Sequence, residues 1–138
     1  MDLNLYNISF AVDIFGLPKK AKYYANIDHD IDTSGIAFLD YGYFKVICIG
    51  SKDTVAPVIS TIQGIDGTIE ITDSINSFGE FSIRLNKEDK KENFNYNSNS
   101  KSRLYYEFVD SVKIIKNHDH DKANLLLAQT LNLSLIHI

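Results

Sequence analysis

The sequence predicts an α+β domain: an open, mainly antiparallel β-sheet with helices packed on one face. Apolar residues recur at helical spacing near both ends of the chain, whereas strand-like segments fill the middle. No helical segment separates successive strands, which is typical of antiparallel pairing. The 138 residues, of which 44% are apolar, suffice for one domain with one core.

The leading segment, DLNLYNISFAVDIFG, is predicted to be a helix. Its apolar stripe at helical spacing consists of Leu3, Tyr6, Phe10 and Ile14. Asp2 near the start complements the helix dipole. Gly16 and the following Pro18 predict where the helix ends.

The middle of the chain predicts strands joined by tight turns. KAKYYANI is a short candidate strand, and GIAFLDYG with YFKVICIGSK predicts a hairpin about Tyr41 and Gly42. PVISTIQ and TIEIT flank the glycine-bearing turn from Gly64 to Gly67, which predicts a second hairpin. FSIRLN is a further strand.

A surface loop and two helices are predicted after these strands. The loop is the polar stretch KEDKKENFNYNSNSKS, from Lys87 to Ser102. The first helix is RLYYEFVDSVKIIKN, and the second is HDHDKANLLLAQTL. Along one side of the first lie Leu104, Phe108, Val112 and Ile115.

One predicted strand is apolar on both faces. In FKVICIGS, Val46 and Cys48 point to one side, while Ile47 and Ile49 point to the other. Such a strand needs cover on both faces, and one layer of helices covers only one. We therefore expect a second domain or a partner subunit on the other face.

Charge and cysteine content limit the function classes. The net charge is -4 and basic residues form no stripe, so we expect neither a nucleic-acid nor a membrane partner. The single cysteine, Cys48, lies in an apolar run and is expected to be a buried hydrophobe rather than a nucleophile. With no disulfide framework, signal peptide or membrane-length apolar run, a cytoplasmic protein is expected.

Two groups of histidine and aspartate invite a metal-site hypothesis. They are residues 118–121 and residues 28–30. Neither has zinc-ligand spacing, and Asp before a helix is a good cap, so no metal site is predicted. No dinucleotide fingerprint, P-loop or nucleophile elbow occurs, and we expect no cofactor-binding residue in this chain.

Asp2 and Tyr6 are four residues apart, so a helix places them on one face. A tyrosine can pass a proton to a carbonyl oxygen when a nearby lysine lowers its pKa and a carboxylate orients it. The same spacing is far more often a capping acid and a core aromatic. From these residues alone, both readings stay open.

Several stretches in order resemble the C-terminal domain of the glucose–fructose oxidoreductase, inositol dehydrogenase and MocA family. MDLNLYN resembles the end of its G-G-x-L-x-D-x-x-x-Y segment, and FGLPKKAKYYANI resembles its L-F-G-x-P segment. IDTSGIAFLDYGYFKVICIGSKD, IQGIDGTIEI and RLYYEFVDSVKIIKN are similar to the hairpin, the glycine-turn strand pair and the helix that follow. The resemblance is to the dihydrodiol-dehydrogenase-like branch and covers about residues 1–131.

This resemblance implies a two-domain, NAD- or NADP-dependent oxidoreductase acting on a sugar, polyol or diol-type substrate. It implies a homodimer or homotetramer formed through the open face of the sheet. It places Tyr6 at the proton-transfer tyrosine and Asp2 at the accompanying acid. The family's Rossmann domain and its E-K-P lysine are missing from the chain, so the chain alone is expected to be inactive.

We expect residues 1–132 to be this C-terminal domain, clipped at both ends. The last six residues, LSLIHI (133–138), resemble the translation of a transposon-end sequencing adapter and are expected to be a read-through tail. The alternative is a non-catalytic binding or oligomerisation module built on the same sheet, with Met1 as a genuine start.

Overall fold

The computed structural model describes residues 2–75, 79–88, 90–95, 105–118 and 121. Two compact units make up the chain: one contains residues 1–55 and 110–138, and the other contains residues 56–109. The predicted helix HDHDKANLLLAQTL lies outside the described residues except for His118 and Asp121. The predicted tail, 133–138, also lies outside them.

The first unit opens with a helix followed by an antiparallel sheet. Helix α1 spans Asp2–Phe15, and strands β1, β2 and β3 span Lys20–Asp28, Ile31–Asp40 and Lys45–Ser51. The strand order is β1-β2-β3, and α1 packs on β2 and β3. The predicted antiparallel sheet with a helix on one face is confirmed in this unit.

The turns of this sheet follow from local chemistry. His29 and Asp30 both have positive φ, at 50° and 60°, which suits a two-residue hairpin turn. The loop between β2 and β3 is held by Asp40, whose Oδ1 accepts a bond from the Gly42 backbone N–H at 2.7 Å. The Lys45 ammonium lies 2.9 Å from the same oxygen. The predicted hairpin about Tyr41 and Gly42 is confirmed.

The core of the first unit lies between α1 and the sheet. Its buried residues are Ile8, Ala11, Val12, Ala37, Leu39, Tyr41 and Cys48. The predicted apolar stripe of α1 is wrong, because Tyr6 is 53% exposed and Ile14 is 47% exposed. Apolar residues lie nearly all round this helix, so periodicity alone does not select the inward face.

Gly16 ends α1 as predicted. Its φ is 76°, a left-handed conformation that favours glycine, and its N–H donates to the Val12 carbonyl at 2.8 Å. The Tyr41 hydroxyl donates to the Gly16 carbonyl at 2.9 Å. The helix end is therefore tied to the β2–β3 loop.

The second unit is a four-stranded antiparallel sheet. Strands β4 to β7 span Ser60–Gln63, Gly67–Ile71, Glu80–Leu85 and Lys90–Asn95, and they pair in chain order. The Gly64 N–H donates to the Gly67 carbonyl at 2.8 Å, which closes the predicted glycine turn. The described strands thus form two antiparallel sheets rather than one continuous sheet.

Strand β7 corrects the loop predicted from Lys87 to Ser102. Residues Lys90–Asn95 pair with β6, and the Phe94 ring stacks on Phe81 at a centroid distance of 4.9 Å. The Lys91 ammonium reaches Glu70 at 3.4 Å. Lysines and glutamate are common on edge strands because they discourage further pairing, so a polar composition did not mark a loop here.

Helix α2 spans Tyr105–Asn117, as predicted. On its predicted apolar side, Val112 is half-buried, whereas Phe108 and Ile115 are 73% and 69% exposed. Among the described residues, neither helix is long and apolar enough to cross a membrane.

Candidate functional site

Tyr6 lies on the first half of α1 and is half exposed. With 53% of its surface accessible, it is not the core aromatic that the spacing alone favoured. It is two residues from buried Asn4, so the two side chains leave opposite sides of the helix. Asp2 lies in the first turn, but its side chain is outside the described part, so its position beside Tyr6 stays a prediction.

Other apolar residues of α1 are also accessible: Leu5 is 37% exposed and Ile14 is 47% exposed. They lie on different sides of the helix from each other, so they do not form one patch with Tyr6. The exposure of Tyr6 itself leaves a proton-transfer group at this position open to a substrate.

The opposite side of α1 is fastened to the sheet by two asparagines, Asn4 and Asn7. The Asn4 amide is 1% exposed, and its Nδ2 donates to the Gly35 carbonyl at 3.0 Å. Asn7 Nδ2 donates to Asn4 Oδ1 and to the Ile49 carbonyl, both at 3.2 Å. We call these four bonded groups the amide clamp, because they join α1 to β2 and β3.

One glycine of β3, Gly50, makes room for the amide clamp. Gly35 and Gly50 are paired across β2 and β3, opposite the first turns of α1. A Cβ added to Gly50 would lie 2.9 Å from Asn4 Cγ and Oδ1. Only glycine lets the helix approach the sheet this closely at that point.

A shallow polar depression borders Asn4. It holds about 160 Å³ of largely open space and is lined by Asn4, Tyr23, Asp32, Thr33, Ser34, Gly50 and Lys52. The Tyr23 hydroxyl donates to Asp32 Oδ2 at 3.0 Å. Burial and the bond to this carboxylate raise the pKa of Tyr23. A tyrosine with a raised pKa is a poorer proton-transfer group, so Tyr23 is a weaker candidate than Tyr6.

The carboxylate of Asp32 is stabilised in its charged form. Burial alone would raise its pKa, but hydrogen bonds, including the one from Tyr23, and the charge of Lys52 hold the pKa below its ordinary value. Asp32 is therefore an acceptor that orients Tyr23, not a general acid.

Cys48 is not a nucleophile. Its thiol lies in the core, and burial raises its pKa to about 11. A thiol of this kind is almost fully protonated at neutral pH. The expectation that Cys48 is a buried residue is confirmed.

The described residues of the two histidine and aspartate groups lie in a turn or at a helix end. His29 Nδ1 lies 2.8 Å from Asp28 Oδ1 in the β1–β2 turn, and both side chains are exposed. His118 follows α2 with a φ of 51°. In the part of the chain that the structure describes, no three His, Cys, Asp or Glu side chains gather as a metal site.

The residues present do not fit a dinucleotide. A Rossmann site needs a parallel βαβ unit with a glycine-rich turn before a helix. Every strand pairing among the described residues is antiparallel. A nicotinamide cofactor would have to be held by residues outside the described part of this chain.

The face of the first sheet that points away from α1 is apolar and open. Its exposed apolar side chains are Tyr24, Ile36, Ile47 and Ile49, at 55%, 43%, 60% and 67% exposure. Cross-strand pairing places Ile36 beside Ile49. Val46 and Cys48 face α1, whereas Ile47 and Ile49 face away from it and are exposed. The second domain or partner subunit expected on that face stays a prediction. We call the four exposed side chains the open face.

Reasoning from the sequence missed the amide clamp. Its signals were an N-x-x-N spacing on α1 and glycines at opposing positions of one hairpin. Both are visible only when the hairpin register is known.

Comparison with known proteins indicates the class of protein that this chain is similar to. The chain is a partial match to oxidoreductases of the Gfo/Idh/MocA type and covers a fraction of those chains. No protein-family profile matches the chain.

Two curated proteins match part of this chain. The scyllo-inositol 2-dehydrogenase (NADP(+)) IolU of Bacillus subtilis (strain 168) is 35% identical over 118 residues, which are 84% of this chain and 35% of that protein. The uncharacterized oxidoreductase YgjR of Escherichia coli (strain K12) is 35% identical over 72 residues, 51% of this chain and 22% of that protein. The chain thus spans about a third or less of the curated relatives it matches.

Solved structures agree on the fold. The oxidoreductase yvaA from Bacillus subtilis superposes with a TM-score of 0.63 at 16% identity, over 96% of this chain and 47% of that chain. A Klebsiella pneumoniae chain described as an oxidoreductase has a TM-score of 0.59 at 18% identity, over 81% of this chain and 39% of that one. The chain is therefore related to NAD(P)-dependent oxidoreductases such as scyllo-inositol dehydrogenase.

Proposed function

We propose that residues 1–132 are the substrate-side domain of a cytoplasmic NAD(P)-dependent oxidoreductase that acts on the CH–OH group of a sugar, polyol or diol. The observation that carries the proposal is the accessible Tyr6 on α1, in a chain related to an NADP-dependent inositol dehydrogenase. The complete protein would include a dinucleotide-binding domain, and this chain alone would be inactive.

Tyr6 is the proton-transfer residue in this proposal. Its hydroxyl takes the substrate hydroxyl proton during oxidation and returns it during reduction. The hydride chemistry would be supplied by a nicotinamide cofactor that residues outside the described part of this chain would have to hold. A tyrosine in this role works with a nearby lysine, which the other domain would supply. Asp2, one helical turn before Tyr6, would orient the tyrosine or the substrate.

The substrate class in this proposal is supported by the relative. The name of IolU, scyllo-inositol 2-dehydrogenase (NADP(+)), makes cyclic polyols the first substrates to assay.

The test needs the complete gene. Long-read sequencing of the source DNA across both ends of this frame would recover it. Tyr6→Phe should then lower kcat by about 10²–10⁴-fold, because it removes the proton-transfer group. Tyr43→Phe is the matched control, because Tyr43 is a fully exposed loop tyrosine. A Tyr6→Phe enzyme within a few-fold of the parent would refute the assignment.

The same proposal includes a homodimer or homotetramer formed through the open face. The four exposed apolar side chains lie on adjacent strands of one sheet, so a second copy can cover them by a two-fold contact. The mass of the protein in solution, measured by light scattering across a range of concentrations, tests this. A monomer at every concentration would refute it.

The alternative function is a non-catalytic binding or oligomerisation module. It is favoured by the antiparallel pairing of every described strand, which leaves no dinucleotide framework among the described residues. A stop codon and a ribosome-binding site directly before Met1 would support the module. An in-frame G-x-G-x-x-G and E-K-P upstream would support the oxidoreductase.

A further inference from the structure

We propose that Asn4 is a positioning residue that sets where Tyr6 stands. The proposal rests on the proposed function of Tyr6 as the proton-transfer residue. It goes beyond that function because it assigns a role to a buried amide that does not face the substrate side. The amide clamp is the structural basis of the proposal.

The packing of α1 is uneven along its length. Among the side chains that the structure describes, the buried apolar residues of the helix begin at Ile8 and continue through Val12. The turn that carries Tyr6 lies before this region. Where Asn4 meets the sheet, the opposing pair is Gly35 and Gly50, which offer backbone rather than side chains. The contact at Asn4 is therefore made by hydrogen bonds rather than by apolar packing.

The amide clamp constrains the position of the helical turn between Asn4 and Asn7. A hydrogen bond fixes direction as well as distance, whereas apolar contact tolerates sliding. Asn4 bonds to Gly35 on the central strand, and Asn7 bonds to Ile49 on the adjacent strand. Because Asn7 also bonds to Asn4, the turn between them is tied at both ends. Tyr6 lies within this turn.

Displacement of the Tyr6 hydroxyl would slow proton transfer. Proton transfer requires the tyrosine oxygen within hydrogen-bond reach of the substrate oxygen. A displacement of about 1 Å can lower the rate about 100-fold. Loss of the amide clamp would release the turn without removing the hydroxyl of Tyr6. The predicted effect is on kcat, with little change in the affinity for the nucleotide, which another domain binds.

The experiment is a double-mutant cycle in the complete protein, with Asn4→Ala, Tyr6→Phe and the double variant. Asn4→Ala should lower kcat about 10- to 100-fold and leave nucleotide binding unchanged. In the Tyr6→Phe background it should lower kcat no further, because the group it positions has been removed. Asn26→Ala is the control: it removes an amide that bonds to Ser34 in the same sheet, away from α1.

A substitution in the sheet tests the same contact between α1 and β3. Gly50→Ala would place its Cβ against Asn4 and should displace the turn, lowering kcat in the same way. In the Asn4→Ala background the two closest atoms, Asn4 Cγ and Oδ1, are gone and the backbone N at 3.2 Å remains, so Gly50→Ala should cost less than it does in the parent. The smaller additional loss would separate positioning from general destabilisation, and Gly50→Ala alone serves if Asn4→Ala folds poorly.

The outcomes are distinguishable. If Tyr6→Phe retains full activity, the proposed function fails and the positioning role fails with it. If Tyr6→Phe is slow but Asn4→Ala is not, only the positioning role fails. If Asn4→Ala lowers kcat by the same factor with and without Tyr6, Asn4 acts on stability or on another group, and the positioning role is again refuted.

Discussion

Ile49→Ala tests whether the open face is an interface between two copies of the complete protein. Ile49 is 67% exposed in this chain and lies directly across from Ile36. Its side chain faces away from α1, so its truncation leaves the core of the first unit intact. Any large effect must therefore come from a surface that association buries.

The magnitude follows from the exposed area. Truncation of isoleucine to alanine removes three carbons, worth about 2.4 kcal/mol at roughly 0.8 kcal/mol per buried carbon. Association newly buries about two thirds of that side chain, which leaves about 1.6 kcal/mol per copy. A two-fold interface counts the change twice, so the loss is about 3 kcal/mol, or roughly a 100-fold rise in Kd.

Sedimentation equilibrium would measure the Kd, with Ile65→Ala as the matched control. Ile65 is 95% exposed, but it lies in the β4–β5 turn of the other unit. The control should leave the Kd unchanged. Equal dissociation constants for Ile49→Ala and the parent would refute the reasoning and place the interface elsewhere.

Two further predictions concern single sites in the first unit. Gly16→Ala should lower the free energy of unfolding by about 1–2 kcal/mol, measured in urea, because φ is 76° and no atom lies within 4 Å of the added Cβ. No loss would mean that α1 ends differently. With its pKa raised to about 11 in the fold against 9.0 for a free thiol, Cys48 should react with a disulfide reagent about 100-fold more slowly at pH 8 than in the unfolded chain. The unfolded thiol ionises first, so stability should also fall as pH rises from about 9 to 11, and Cys48→Ala should remove that part of the slope.

The hairpins could be predicted because their signals are local. Gly64 and Gly67 mark a turn whatever surrounds them, and alternation of apolar residues marks the flanking strands. Strand β7 could not be predicted in this way. Its pairing depends on β6 and on the stack of Phe94 with Phe81, which is a contact between residues distant in sequence.

The inward face of α1 shows a different reason for failure. The predicted stripe weighted Tyr6 and Ile14 as core residues because they are large and apolar. The structure buries Asn4 to 1% instead, since its amide satisfies a carbonyl that the glycine pair leaves accessible. A buried polar group is tolerated when it is fully bonded, and no hydrophobicity pattern can anticipate its partners.

The open face could be predicted from the sequence alone, whereas the role of Tyr6 could not. The open face follows from the sequence alone, because Ile47 and Ile49 alternate with Val46 and Cys48 on one strand. The role of Tyr6 in proton transfer came only from family resemblance, because the lysine and the nicotinamide that the proposal pairs with it would lie outside the chain. A proton-transfer role depends on several groups together, whereas the exposure of a strand face can be predicted from the alternation of residues along that strand. For Tyr6 the structure shows an exposed side chain on a helical turn that is hydrogen-bonded to the sheet through Asn4 and Asn7.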